Sequence, residues 1–279
     1  MRWNNLPFAE NFQVKFIYFT KTLRDLNQPQ LVDFATRNKI DGLDLAVRPG
    51  YPIDPENAPR ELPNFAKRMA DAGKVIGLIS APTDLNRAND PKAIAICEAA
   101  GKAGVPFVKM GYFPFQADFH KEMKQAKEAL ASFAKLAQKN HIRILYHTHS
   151  GSNLGCNGVS LSWLLEGIDP HFIGVLLDPG HLSLCGGPFP MEYDAIKTNV
   201  ALLALKDMLP TKQPGQSGLS VKVVPAGTGI VDWNRVGGAL RKGQYAGMAS
   251  IHGEYEAKDL ADRERLLAQE IDFFRAKLP

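Results

Sequence analysis

Short apolar, β-rich runs alternate with longer amphipathic runs along the chain, and this alternation limits the fold more than any other feature. The β-type runs lie at 14–20, 41–47, 74–80, 106–111, 142–149, 172–179, 201–207 and 246–255. Helical periodicity marks 28–38, 59–72, 90–103, 116–140, 159–167, 190–199, 232–242 and 259–277. Eight strand–helix units therefore follow one another in strict order. The strands are near-continuous apolar runs, as parallel strands buried on both faces are. Such units close most simply into one α/β domain over residues 1–279, a (β/α)8 TIM barrel, for which about 250 residues is typical. A doubly wound sheet is the alternative. It normally carries a Gly-rich phosphate turn after its first strand, and none follows Phe19-Thr20.

Charge narrows the partners. The net charge is +4, from 33 basic and 29 acidic residues, with no Lys/Arg run that could track a phosphate backbone. That balance argues against a nucleic-acid partner. The three cysteines form no C-x-x-C pair, which argues against a disulfide framework and a thiolate zinc site. No apolar run approaches the ~20 residues that span a bilayer, so no membrane partner is expected. The first eleven residues lack the basic-then-apolar pattern of a signal peptide. A cytoplasmic setting is the default expectation, with a removed leader left open.

Barrel active sites are built at the C-terminal ends of the strands. Three segments that follow predicted strands are longer than a minimal barrel needs, at 49–60, 150–159 and 208–230. Long loops on that face are usually functional, and barrels that carry them often pair as homo-oligomers. The polar residues at the predicted strand tops are Asp44, Lys109, His147-Thr148-His149, Asp178 with His181, Lys206-Asp207, and His252 with Glu254. Four of the seven histidines fall there, at 147, 149, 181 and 252. Imidazoles and carboxylates converging on one mouth suit a divalent metal or an acid–base site. Each residue alone also has a plain structural reading. Asp178 before Pro-Gly can shape a turn, and Lys206 can pair with Asp207 or Asp178. The functional reading rests on four adjacent strands ending alike.

At these residues the sequence resembles the xylose isomerase-like sugar phosphate isomerase/epimerase family over nearly its whole length. LLDPGH (176–181) resembles a strand-six motif, ALKD (204–207) a strand-seven motif, and IHGEYE (251–256) a strand-eight motif. PAGTGIVDWNRVGGALRKGQYAG (225–247) resembles the run between the last two strands, and YHTH (146–149) a strand-five motif of one subgroup. The resemblance implies one divalent ion (Mn, Co, Zn or Mg) that polarises a substrate carbonyl while carboxylates move a proton beside it. The usual ligands are a strand-five Glu, a strand-six Asp, a strand-seven His and a strand-eight Glu. This chain has His147 and Ala204 at two of those positions. The implied metal set is then His147, Asp178, Glu254 and His252, with His149 as an alternative to His147.

The function expected on this basis is isomerisation, epimerisation or a related dehydration of a sugar, sugar phosphate or polyol through an enediolate-like intermediate. Glu254, His149 and Lys206 are the expected catalytic groups, and His181, Lys109, Asp44 and Asp207 the expected substrate contacts. Three other readings stand beside it. A Schiff-base lyase would use Lys206. A three-zinc apurinic-site endonuclease, also of this superfamily, needs more His and Glu ligands than strands one and three supply. A metal-free sugar-binding barrel would explain the missing strand-seven His.

Overall fold

The computed structural model describes residues 14–215 and 217–279; the N-terminal stretch read above for a leader lies outside them. Eight parallel strands close into a barrel: β1 (Lys15–Phe19), β2 (Gly42–Ala46), β3 (Val75–Ser80), β4 (Phe107–Lys109), β5 (Arg143–His147), β6 (Ile173–Leu177), β7 (Val200–Leu205) and β10 (Met248–Ile251). Each pairs with its sequence neighbour, and β1 closes on β10 with Lys15 opposite Met248 and Tyr18 opposite Ile251. The predicted single-domain (β/α)8 fold is the one observed, with each strand inside or within a residue of its expected run.

The outer layer holds α1 (Gln28–Arg37), α2 (Ala58–Asp71), α3 (Pro91–Ala103), α4 (Phe119–Asn140), α5 (Gly158–Leu164), α7 (Phe189–Ile196), α8 (Trp233–Lys242) and α9 (Leu260–Lys277). Their starts are written in capping residues: Asn27, Asp90, Asp118, Asn157, Asp232 and Asp259 each accept a backbone N–H of the first turn. Two features depart from the sequence reading. A short helix, α6 (Pro179–Cys185), starts directly after β6, where Pro-Gly reads as a turn. Asp178 caps it by accepting the His181 N–H at 3.0 Å. The long segment after β7 is partly an antiparallel hairpin, β8 (Asp207–Thr211) with β9 (Ser220–Val224).

Side chains on a strand alternate between barrel interior and helix layer. The interior floor is an apolar plug of Ile17, Leu78, Leu145, Leu176, Leu202 and Ala204. Two residues further along the same strands the interior turns polar: Ser80, His147, Asp178 and Lys206 stand above Leu78, Leu145, Leu176 and Ala204. The plug seals the bottom of the barrel and presents a polar layer upward, on the face where the strands end.

Candidate functional site

The polar layer opens into a cavity of about 80 Å³ lined by Phe19, Lys21, Arg48, Ser80, Thr83, Lys109, Tyr112, His147, His149, Lys206, His252 and Glu254. Lys206 is its electrostatic hub. Lys206 Nζ lies 3.0 Å from Glu254 Oε1 and 3.6 Å from Asp178 Oδ2. Burial opposes the ammonium charge, but Asp178 and Glu254 outweigh burial and hold the group above the ordinary lysine range. Glu254 also pairs with Lys21. Burial works against that carboxylate too, yet His252, Lys206 and Lys21 hold it far below the usual carboxylate range.

Hydrogen-bond partners fix the tautomers of His149 and His147. His149 Nδ1 is 2.8 Å from the Ser150 carbonyl oxygen, which only accepts, so Nδ1 carries the proton and Nε2 is a bare lone pair. His181 Nδ1 lies 3.1 Å from the Ser150 amide and 2.8 Å from the Ser150 hydroxyl, and its Nε2 lies 3.3 Å from Lys206 Nζ, which can only donate. His147 places Nε2 3.2 Å from Asp178 Oδ2 and Nδ1 3.0 Å from the Tyr112 hydroxyl. With the carboxylate accepting at Nε2, the tyrosine donates to Nδ1. Burial is the main cause that holds all three neutral: it lowers His149, pushes His181 down to about 2, and drives His147 well below its usual value. His149 and His181 stack with centroids 3.8 Å apart.

A divalent ion needs lone pairs aimed at one empty point, with carboxylate and imidazole donors about 2.0–2.2 Å from it. His147 and Asp178 instead face each other as donor and acceptor. Neither ring nitrogen of His252 has a hydrogen-bond partner; they stand 3.4 Å from Asp44 Oδ2 and 3.5 Å from Glu254 Oε1. A lysine ammonium already stands between Asp178 and Glu254. Among the described residues, no group of three or more His, Cys, Asp or Glu is arranged to hold a metal ion. The expected set of His147, Asp178, Glu254 and His252 thus does not fit a metal: its carboxylates are spent on Lys206, Lys21 and His147.

The remaining expected contacts divide. Lys109 lines the cavity. Asp44 is buried beneath it, with one oxygen accepting from the Ser80 hydroxyl and the other from Ser250, both at 2.8 Å. His181 supports Ser150 from behind. Asp207 is not brought to the mouth, because it is one residue out of phase with Lys206. Its carboxylate accepts from the amides of Met208, Gly227, Gly229 and Val231 and from Trp233 Nε1, between 2.9 and 3.1 Å. A Cβ on Gly229 would come within 2.2 Å of Asp207 Oδ1, so the clamp needs glycine there. The 204–207 and 225–247 motifs thus meet as a loop anchor. Lys21, Arg48 and Tyr112 were missed. Each lies within three residues after a barrel strand, and extending the strand-top rule that far would have found them.

The sequence profile of one family, the xylose isomerase-like TIM barrel, matches residues 32–277. The chain belongs to that family. Solved structures with the same fold include the 3-keto-D-glucoside 4-epimerase of E. coli in apo form (TM-score 0.74, 11% identity, 95% of this chain and 100% of that one). A second is the probable 3-DHS dehydratase of Bacillus anthracis involved in petrobactin synthesis (0.70, 19%, 94% and 98%). A third is a xylose isomerase-like TIM barrel protein of Mycobacterium smegmatis in complex with magnesium (0.68, 15%, 96% and 98%). At these identities the likeness is one of fold. No curated protein matches the chain in sequence. Among the described residues, no helix is long and apolar enough to cross a membrane.

Proposed function

We propose that this xylose isomerase-like barrel is a sugar isomerase or epimerase acting on a small polyhydroxylated carbonyl compound by proton transfer at the carbon beside the carbonyl. The observation that carries this reading is that the bare Nε2 of a neutral imidazole, His149, and a buried ammonium, Lys206, belong to side chains lining one cavity. His149 Nε2 takes the proton from carbon, and the electron pair left behind moves onto the carbonyl oxygen. The Lys206 ammonium stabilises the resulting enediolate-like charge in a site of low dielectric. In an isomerisation the proton returns to the former carbonyl carbon while the adjacent hydroxyl proton crosses to the enediolate oxygen; in an epimerisation His149 gives its proton to solvent and a solvent proton reaches the opposite face of the same carbon.

The other residues support these two groups. Asp178 and Glu254 keep Lys206 protonated, which makes it a poor Schiff-base nucleophile. Glu254, held far below the usual range, is an anchor for Lys206 rather than the base expected from the sequence. His252, buried between Asp44 and Glu254, helps hold the Glu254 carboxylate in place. The fold and the activities named for its structural neighbours support the same reaction class.

The test is solvent deuterium exchange. The protein, treated with chelator, is incubated in D2O with a panel of trioses, tetroses and pentoses and their acids, and C–H exchange is followed by NMR. We expect exchange that survives the chelator and falls at least ~100-fold, as for loss of a general base, in His149→Ala and in Lys206→Met. Exchange that is unchanged in both variants, or no exchange with any member of the panel, overturns the proposal.

A further inference from the structure

Two basic side chains line the cavity and keep buried nitrogens that no hydrogen bond satisfies. Lys109 is 2% exposed, and its buried Nζ has no hydrogen-bond partner. The Tyr112 ring lies 4.0 Å from that nitrogen, and Arg48, Asp44, Lys206 and Glu254 are the charged groups around it. Arg48 stands 5.4 Å over the Phe19 ring, and its buried Nε is also unpartnered. Both side chains line the same cavity, with Lys21 and Lys206. The carboxylates of the region are already committed: Glu254 to Lys21 and Lys206, Asp178 to His147, and Asp44 to the hydroxyls of Ser80 and Ser250. Buried donors without partners are costly, and two adjacent cations repel. An arrangement of this kind is kept where an arriving group supplies the missing acceptors.

We infer that Lys109 and Arg48 form a binding subsite for a carboxylate carried by the substrate, so that the compound processed is a small hydroxy-keto or sugar acid rather than a neutral sugar. This inference rests on the proposed proton-transfer reaction and adds the substrate's chemical class. The geometry favours a carboxylate over a larger oxyanion. Each side chain keeps one unpaired buried nitrogen, which makes two donors for the two oxygens of a carboxylate. A cavity of about 80 Å³ suits a small acid of a few carbons better than a long-chain or nucleotide ligand. Lys109 also has a means of responding. Burial first, then the Arg48 charge, lowers its pKa from 10.5 to about 7. A carboxylate arriving beside it restores the charged form, so binding takes up a proton.

Calorimetric titration with non-reacting probes tests this without any need for turnover. The probes are acetate, glycolate, inorganic phosphate and neutral ethylene glycol. Acetate and glycolate should bind the wild-type protein, with proton uptake at pH 8 read from the dependence of the heat on buffer ionisation. Their affinity should fall at least ~10-fold in Arg48→Met and in Lys109→Met, about one charge-assisted hydrogen bond each, and Lys109→Met should abolish the proton uptake. Arg48 is only half-buried, so its variant serves if Lys109→Met fails to fold. Tighter binding of phosphate than of carboxylates, equal binding of ethylene glycol, or undiminished binding in the variants overturns the subsite. So does borohydride trapping of a keto acid on Lys109, which would make it a Schiff-base nucleophile. Carboxylate binding without deuterium exchange would instead leave the subsite standing and sink the proton-transfer reading.

Discussion

Replacing Lys206 by alanine should both destabilise the protein and turn its barrel mouth into a metal site. The lysine is 5% exposed, Asp178 is fully buried, and Glu254 is 13% exposed. Breaking a buried pair by removing one partner costs about 3–5 kcal/mol, because the other charge stays behind. Here two carboxylates stay behind, although Lys21 still serves Glu254. For a chain of this length 1 kcal/mol moves the thermal midpoint by roughly 2 °C, so the midpoint should fall by roughly 6–10 °C. The same substitution removes the cation that blocks Asp178 and Glu254 from sharing an ion, with His147 Nε2 beside them. Manganese or zinc at one hundred times its dissociation constant should then return about 2.7 kcal/mol, roughly 5 °C. Differential scanning fluorimetry with and without metal reads both effects. The wild-type midpoint should not respond to one equivalent of metal. If wild type gains the same 5 °C, or if Lys206→Ala melts where wild type does, the role given to Lys206 as the site's own cation is refuted.

Other outcomes follow from groups already described. Asp207→Ala should cost at least ~3 kcal/mol, since five donors lose a buried carboxylate; hydrogen exchange should show the amides of Gly227, Gly229 and Val231 losing protection first. Burial raises the Glu270 carboxyl from 4.5 to about 7. A raised acid stabilises the fold below its unfolded value and loses that contribution as pH climbs through the folded one. Stability should therefore drop by roughly 3 kcal/mol between pH 4.5 and 7, at ~1.4 kcal/mol per pH unit, and Glu270→Gln should flatten urea-melt stabilities over that window. His149 lies below the ordinary 6.5, so the acid limb of the pH–rate profile should fall below pH 6.5; a limb above it would remove His149 as the base. Tyr112→Phe should cost about 1 kcal/mol by thermal melt, the worth of the hydrogen bond to His147.

The barrel was legible because its signal is carried by many residues at once. Eight apolar runs and eight periodic ones outvote any local error, and a boundary shifted by one residue leaves the count unchanged. The site depended on phase. Strand-top reasoning brought His147, His149, Lys206, His252 and Glu254 to the cavity because they share the inward parity of Leu145, Ala204 and Ile17's layer. The same reasoning misplaced Asp207, which is one residue from Lys206 and points to the opposite face. Nothing in a linear motif says which member of a Lys-Asp dipeptide looks inward; only the plug beneath it does. The same limit applies to the expected metal ligands. The residue types were suitable, but whether carboxylates meet an ion or an ammonium depends on where one flexible four-carbon chain ends. The hairpin β8–β9 was hidden by Pro210 and the glycines around it, which read as loop.

The positive charge between Asp178 and Glu254 arrives with the polypeptide. It needs no loading step after synthesis, cannot be stripped by dilution or exchanged for a wrong ion, and keeps a fixed stoichiometry in every molecule. It also binds the site to the integrity of β7: whatever loosens that strand moves the charge with it.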